Sequence, residues 1–95
     1  CNQLLRRPIR KVALCGGSGS FLLGDAIAAG ADAFITGEMS YHEYFGHEQE
    51  IQICVIGHYQ SEQFTGEIFR SIIQENFPDA KCCISEINTN PILYL

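Results

Sequence analysis

Residues 51–62 read IQICVIGHYQSE, and this stretch decides the fold. A mostly apolar run of six, rich in β-branched residues, has the length and composition of a buried strand. Gly57 interrupts it. His58 and Glu62 then follow four apart, the spacing of one helix face. A strand that stops at glycine and turns at once into a helix is half of a parallel βαβ unit.

The same grammar recurs on both sides. Upstream, residues 33–36 (AFIT) form a short apolar run ending at Gly37, and residues 11–15 (KVALC) form another ending at Gly16-Gly17. Between them, Phe21, Leu22, Leu23, Ala26 and Ile27 have helical spacing, with Gly30 as a stop. Ser40-Tyr41-His42-Glu43 fits a capping box and opens a short helix. Downstream, Phe64, Ile68 and Ile72, with Phe69 and Ile73 one position round, predict an amphipathic helix over 59–77, ended by Pro78. Residues 81–87 read as a fourth strand, and 88–95 as an extended tail. The expected order is β-α-β-α-β-α-β. It describes a single three-layer α/β domain over 1–95, with a mostly parallel sheet and helices on both faces.

Composition narrows the function. The 95 residues are 46% hydrophobic, enough for a core and inconsistent with a disordered tail. Only 18% are charged, below the ~25% usual for soluble domains, as expected of a chain that hides surface against something else. The net charge is −5, which argues against non-specific nucleic-acid binding. Four basic residues, Arg6, Arg7, Arg10 and Lys11, fall in the first eleven positions with no acid among them. This arm reads as a solvated lead-in. No apolar run approaches ~20 residues, and the N-terminus lacks the apolar segment of a signal peptide, so no membrane partner and a cytoplasmic setting are expected. The first residue is Cys1, not Met, so the sequence is expected to start inside a longer product. Five cysteines, Cys1, Cys15, Cys54, Cys82 and Cys83, show no CxxC spacing and read as reduced, mostly buried thiols.

Open α/β sheets bind ligands beyond the carboxyl ends of their strands, and the unusual residues all fall there. His58 and Glu62 can share a divalent ion, or form an ordinary helix-surface pair. Glu38 and His42 have the same spacing after the second strand. Glu38 is a candidate base or orienting group, and His42 a candidate substrate contact; the plainer alternative is a charge at a helix N-terminus and a part-exposed helix residue. The GGSGS turn at 16–20 offers Gly17, Ser18 and Ser20 as an anion cradle, or is simply a tight strand-to-helix turn. It is neither a Walker A loop nor a full GxGxxG. Ser61 lies between the possible ligands, but no GxSxG surrounds it, so a serine nucleophile is poorly supported.

The series KVALCGGSGS, GADAFITGE, YHEYF, GHYQSEQFT and EINTNPI, in this order, resembles the C-terminal half of the dinuclear metal-centre family, the GTP cyclohydrolase 1 type 2 homologs that include NGG-interacting-factor-3-like proteins. The resemblance runs from about Lys11 to Leu95, and GHYQSE after TGE-x3-H is its most specific part. It implies two similar α/β halves with two divalent ions (Zn, Fe, Mn, Ni or Co) between them, assembled as a hexamer. It assigns His58 and Glu62 as ligands, Glu62 bridging the ions. The remaining ligands, an adjacent His pair and an Asp, would come from the N-terminal half. No His-His pair occurs here, so this chain is expected to be half a site, inactive alone. The implied activity is metal-dependent hydrolysis. The alternatives are a non-catalytic oligomerisation or binding module, and a nucleotide-binding domain that uses the GGSGS turn without metal.

Overall fold

A computed structural model describes all of residues 1–95. Three strands form one parallel sheet in the order β1-β2-β3: β1 (Val12–Cys15), β2 (Ala33–Thr36) and β3 (Gln52–Val55). The register pairs Ala13 with Phe34 and Phe34 with Ile53, so the three lie in one row across one face. The chain divides into two compact units, Cys1–Glu62 and Gln63–Leu95.

In the first unit, a 3-10 turn (Ser20–Leu22) leads into α1 (Leu23–Ala28). Gly30 closes the helix as expected, donating its N–H to the Ile27 carbonyl at 2.8 Å. Leu23 and Ala26 of α1 pack with Phe34, Ile51 and Ile53 to make the core. Phe34 and Ile53 are almost fully buried, and burying each such side chain stabilises by ~1.5–3 kcal/mol. The opposite face is less covered: Leu14 on β1 is 74% exposed. Within this unit, then, a helix covers one face of the sheet.

The basic arm is exposed, as expected of a lead-in, but it is also tethered to the sheet. Asp32, just ahead of β2, takes the Arg7 guanidinium and accepts the backbone N–H groups of Arg10 (2.8 Å) and Lys11 (3.0 Å). Further back, Asn2 lies along the free edge of β3, donating to the Ile53 carbonyl at 3.2 Å and accepting the Ile53 N–H on its side-chain oxygen at 2.8 Å. The arm's charge is local; its role is to tie the N-terminus to the sheet.

Two other expectations are corrected. The helix over 59–77 is two helices, α2 (His58–Glu62) and α3 (Thr65–Asn76). The break falls at Gln63-Phe64, where Phe64 adopts φ −93°, ψ 1° immediately before Thr65-Gly66, two poor helix formers. This is also where the two units part. The fourth strand is absent: residues 81–87 join no ladder, and the order ends β-α-α with an irregular segment. A strand exists only as one side of a ladder. Here Ser85, Asn88 and Asn90 satisfy backbone N–H groups two residues on, at 3.3, 2.9 and 3.2 Å, the local alternative to pairing. Within the second unit, α3 runs beside this segment, with Phe69, Ile73, Cys82 and Ile84 lining an open groove. No helix is long and apolar enough to cross a membrane.

Candidate metal centre

The carboxyl ends of the three strands deliver the polar residues. After β1 the chain turns through Gly17, whose φ of 63° is left-handed. After β2 comes Gly37-Glu38. After β3, Gly57 at φ 92° turns the backbone straight into α2, which begins at His58.

His58 stands between two carboxylates. Its Nδ1 lies 3.1 Å from Glu38 Oε1 and its Nε2 lies 3.2 Å from Glu62 Oε2. The other Glu38 oxygen accepts the Ser18 hydroxyl at 2.5 Å. A continuous polar chain, Ser18–Glu38–His58–Glu62, therefore spans the ends of all three strands. The Ser18 hydrogen bond, followed by that from His58, holds the Glu38 carboxyl below its ordinary pKa. The Glu38 hydrogen bond, opposed by slight desolvation, lifts His58 above its own.

Two residues brace this chain from behind. Ser61 Oγ accepts the Gly17 N–H at 2.8 Å and donates to the His58 carbonyl at 2.8 Å, so it clips the GGSGS turn to α2. Thr36, 1% exposed, accepts the Gly19 N–H on Oγ1 at 3.0 Å and donates to the Gly17 carbonyl at 3.3 Å. The sequence offered Ser61 only as an unsupported nucleophile and passed over Thr36. Thr36 did leave a signal: it is a lone hydroxyl on the core-facing register of an apolar strand.

A cleft of about 390 Å³ opens beside the polar chain, lined by Ser18, Ser20, Glu38, Met39 and Ser40. Of the residues proposed for anion binding, Gly17 already gives its N–H to Ser61 and the Ser18 hydroxyl goes to Glu38; the neighbouring Gly19 N–H is taken by Thr36. Ser20 lines the cleft, and with the Ser40 N–H it holds the Glu43 carboxyl below its usual range, Ser40 having the larger effect. The capping box at Ser40 is formed, and it opens a 3-10 turn (Tyr41–Tyr44), not an α-helix. His42 sits in that turn with its ring edge-on to Tyr41, 5.5 Å between centroids. It makes no hydrogen bond or ion pair with Glu38, His58 or Glu62.

The donor set fits a divalent ion as far as it goes. Ligand bonds of ~2.0–2.1 Å place neighbouring tetrahedral ligands about 3.3 Å apart, close to the observed Nε2–Oε2 separation of 3.2 Å. Both side chains remain half-exposed, on the open side of the cluster. A Cβ at Gly17 would lie 2.5 Å from Glu62 Oε1 and 3.4 Å from His58 Nε2, so the glycine leaves room where the pair converges. No group of three or more His, Cys, Asp or Glu is arranged to hold an ion.

The unit is of the parallel α/β class, in which ligand sites commonly lie beyond the carboxyl ends of the strands, the edge where His58 and its two carboxylates gather. The sequence pattern of the Duf34/NIF3 (NGG1p interacting factor 3) family matches residues 1–91, and the chain belongs to that family. It is 40% identical to the GTP cyclohydrolase 1 type 2 homolog of Archaeoglobus fulgidus over 70% of this chain and 28% of that protein. It is 35% identical to the protein of the same name from Staphylococcus epidermidis over 92% of this chain and 25% of that protein. Among solved structures it resembles the Staphylococcus aureus protein SA1388, with a TM-score of 0.76 and 32% identity, covering 92% of this chain and 26% of that one. It also resembles a Bacillus cereus protein related to NIF3, with a TM-score of 0.63 and 26% identity, covering 92% and 25%. The chain thus spans about a quarter of the length of the relatives it matches.

Proposed function

We propose that this chain supplies the His58–Glu62 half of a divalent metal centre in a metal-dependent hydrolase. The observation that carries the reading is the 3.2 Å approach of His58 Nε2 to Glu62 Oε2 over the space that Gly17 leaves free. His58 and Glu62 would hold the ion together, and a carboxylate such as Glu62 could be shared with a second ion. Nitrogen and oxygen donors suit Zn, Fe, Mn, Ni or Co. The remaining ligands would come from the part of the protein outside these residues, since two ligands do not enclose an ion. The intact protein would assemble as a homo-oligomer, and its five unpaired thiols suit a cytoplasmic setting.

Ions bound there would lower the pKa of water and stabilise charge that develops on the substrate. The chain's own residues would do the rest. The cleft lined by Ser18, Ser20 and Ser40 would receive the substrate beside the ligands, and Glu38, on the wall between the two, would face both. His42 would reach the substrate only from the rim. A second reading, a binding or oligomerisation module without catalysis, draws on the exposed Leu14 of β1.

The test is metal content by elemental mass spectrometry on the protein at its full natural length, beside a His58→Ala, Glu62→Ala double variant. Near-stoichiometric divalent metal in the parent, lost from the variant, is the expected result. Equal metal in both would overturn the assignment of these ligands. An unchanged oligomer after chelation, with no metal in the parent, would favour the module.

A further inference from the structure

The proposed centre uses one end of the His58 ring. The other end, Nδ1, faces Glu38. A neutral imidazole carries one N–H and one lone pair, and the partner of one nitrogen decides which form is present. We infer that Glu38 is a positioning residue for His58: by accepting the Nδ1–H it holds the ring plane and favours the tautomer that leaves Nε2 free to ligate an ion on the side it shares with Glu62. The purpose of this arrangement rests on the metal-centre reading above; its geometry does not.

Three observations carry it. The Glu38 carboxylate is held at both oxygens, by Ser18 at 2.5 Å and by His58 at 3.1 Å, so it is an anchored acceptor. Its backbone is anchored too, since the Glu38 N–H donates to the Gly17 carbonyl at 3.0 Å at the end of β2. The His58 side chain is 44% exposed, and Glu38 is the one partner at its Nδ1. Without that contact, only the Glu62 approach at Nε2 would remain to restrain the ring about its last torsion. A carboxylate behind a ligating histidine is a recurrent device: it sets ring orientation and raises the basicity of the ligating nitrogen. Here the carboxylate comes from a different strand end than the histidine, so the orientation is written into the sheet and not into α2.

The experiment uses the protein at full natural length with 15N-labelled histidine, and Zn(II) as the probe. In metal-free protein carrying Glu62→Ala, which removes the competing acceptor at Nε2, long-range proton–nitrogen correlations at alkaline pH are expected to show His58 as the Nδ1–H tautomer, and the Glu38 variants are compared for tautomer in this same background. Glu38→Ala should lose that signature, and Glu38→Gln, which keeps an acceptor oxygen, should restore most of it. Zn(II) affinity by chelator competition should fall about 10–100-fold in Glu38→Ala and less in Glu38→Gln. If Glu38→Ala does not fold, Glu38→Asp carries the test: it keeps the charge, falls one methylene short, and should show the same losses. A Glu38→Ala or Glu38→Asp protein that keeps the parent's tautomer, or the parent's Zn(II) affinity where the parent binds Zn(II), overturns the inference. If the parent takes up no Zn(II), the metal-centre reading fails and the tautomer alone decides the role of Glu38.

Discussion

His58 and Glu38 shift each other's titration in opposite directions, with Ser18 adding the larger part of the Glu38 shift. In metal-free protein, His58 is raised, first by its bond to Glu38. Folding therefore gains from the protonated ring at pH values below the unfolded pKa, and that gain disappears as pH rises through the folded one. Glu38 is lowered, first by Ser18 and next by His58, so its contribution is present above the unfolded carboxyl pKa and lost as pH falls through the folded one. The pair is thus most cohesive between the two ranges. Glu38→Gln should bring His58 back towards the ordinary imidazole value, measured by the ring C–H chemical shift against pH; an unmoved His58 would contradict the assigned cause. Behind them, Ser61 is the clip. Ser61→Ala leaves the Gly17 N–H without its partner in a half-buried position, at a cost of ~1–2 kcal/mol. The denaturant midpoint should fall with an unchanged slope. His58 and Glu62 were legible in the sequence because their relation is local, four residues along one helix. The Ser61–Gly17 and Thr36–Gly19 bonds join positions 44 and 17 residues apart, and no spacing rule reaches them.

At the scale of elements, three strands and α1 followed from apolar runs that stop at glycine, because each run meets a neighbour in the sheet. KCCISEI at 81–87 has the same composition and forms no strand, since a ladder needs a partner that composition does not reveal. The chain is helical on both sides of Gln63-Phe64, as the pattern over 59–77 predicts, but periodicity is blind to a two-residue interruption. Thr65-Gly66 marks the place. Gly66 sits in the first turn of α3, and a Cβ there would meet Ile84 Cγ2 at an ordinary 3.7 Å. Gly66→Ala should therefore strengthen α3 by ~0.5–1 kcal/mol, the helix propensity difference. Hydrogen exchange of the α3 amides should slow by about two- to fivefold, the same energy expressed as a rate. Exchange that speeds up would mean that the turn at 63–64 depends on glycine and not on weak propensity.

At the scale of the molecule, the two faces of the sheet are covered unequally. The Phe34–Ile53 face is sealed by α1, while Leu14, two residues before the Gly16-Gly17 turn, is 74% exposed on the other face. Leaving a leucine in water forgoes ~1.5–3 kcal/mol of burial. The relatives are about four times as long as this chain, and the proposed centre would need ligands beyond His58 and Glu62; a partner segment covering the Leu14 face would be one route for them. Leu14→Lys tests whether the two belong together. Within this unit the substitution touches an exposed position and should leave the sheet folded, with its backbone circular dichroism unchanged. In the full-length protein it should place a charge in the covering contact, lower the melting midpoint, shift the species seen by size-exclusion chromatography, and reduce bound metal although His58 and Glu62 are untouched. A full-length Leu14→Lys protein with the parent's size and metal content would show that this face stays open to solvent and that the missing ligands reach the centre from another side.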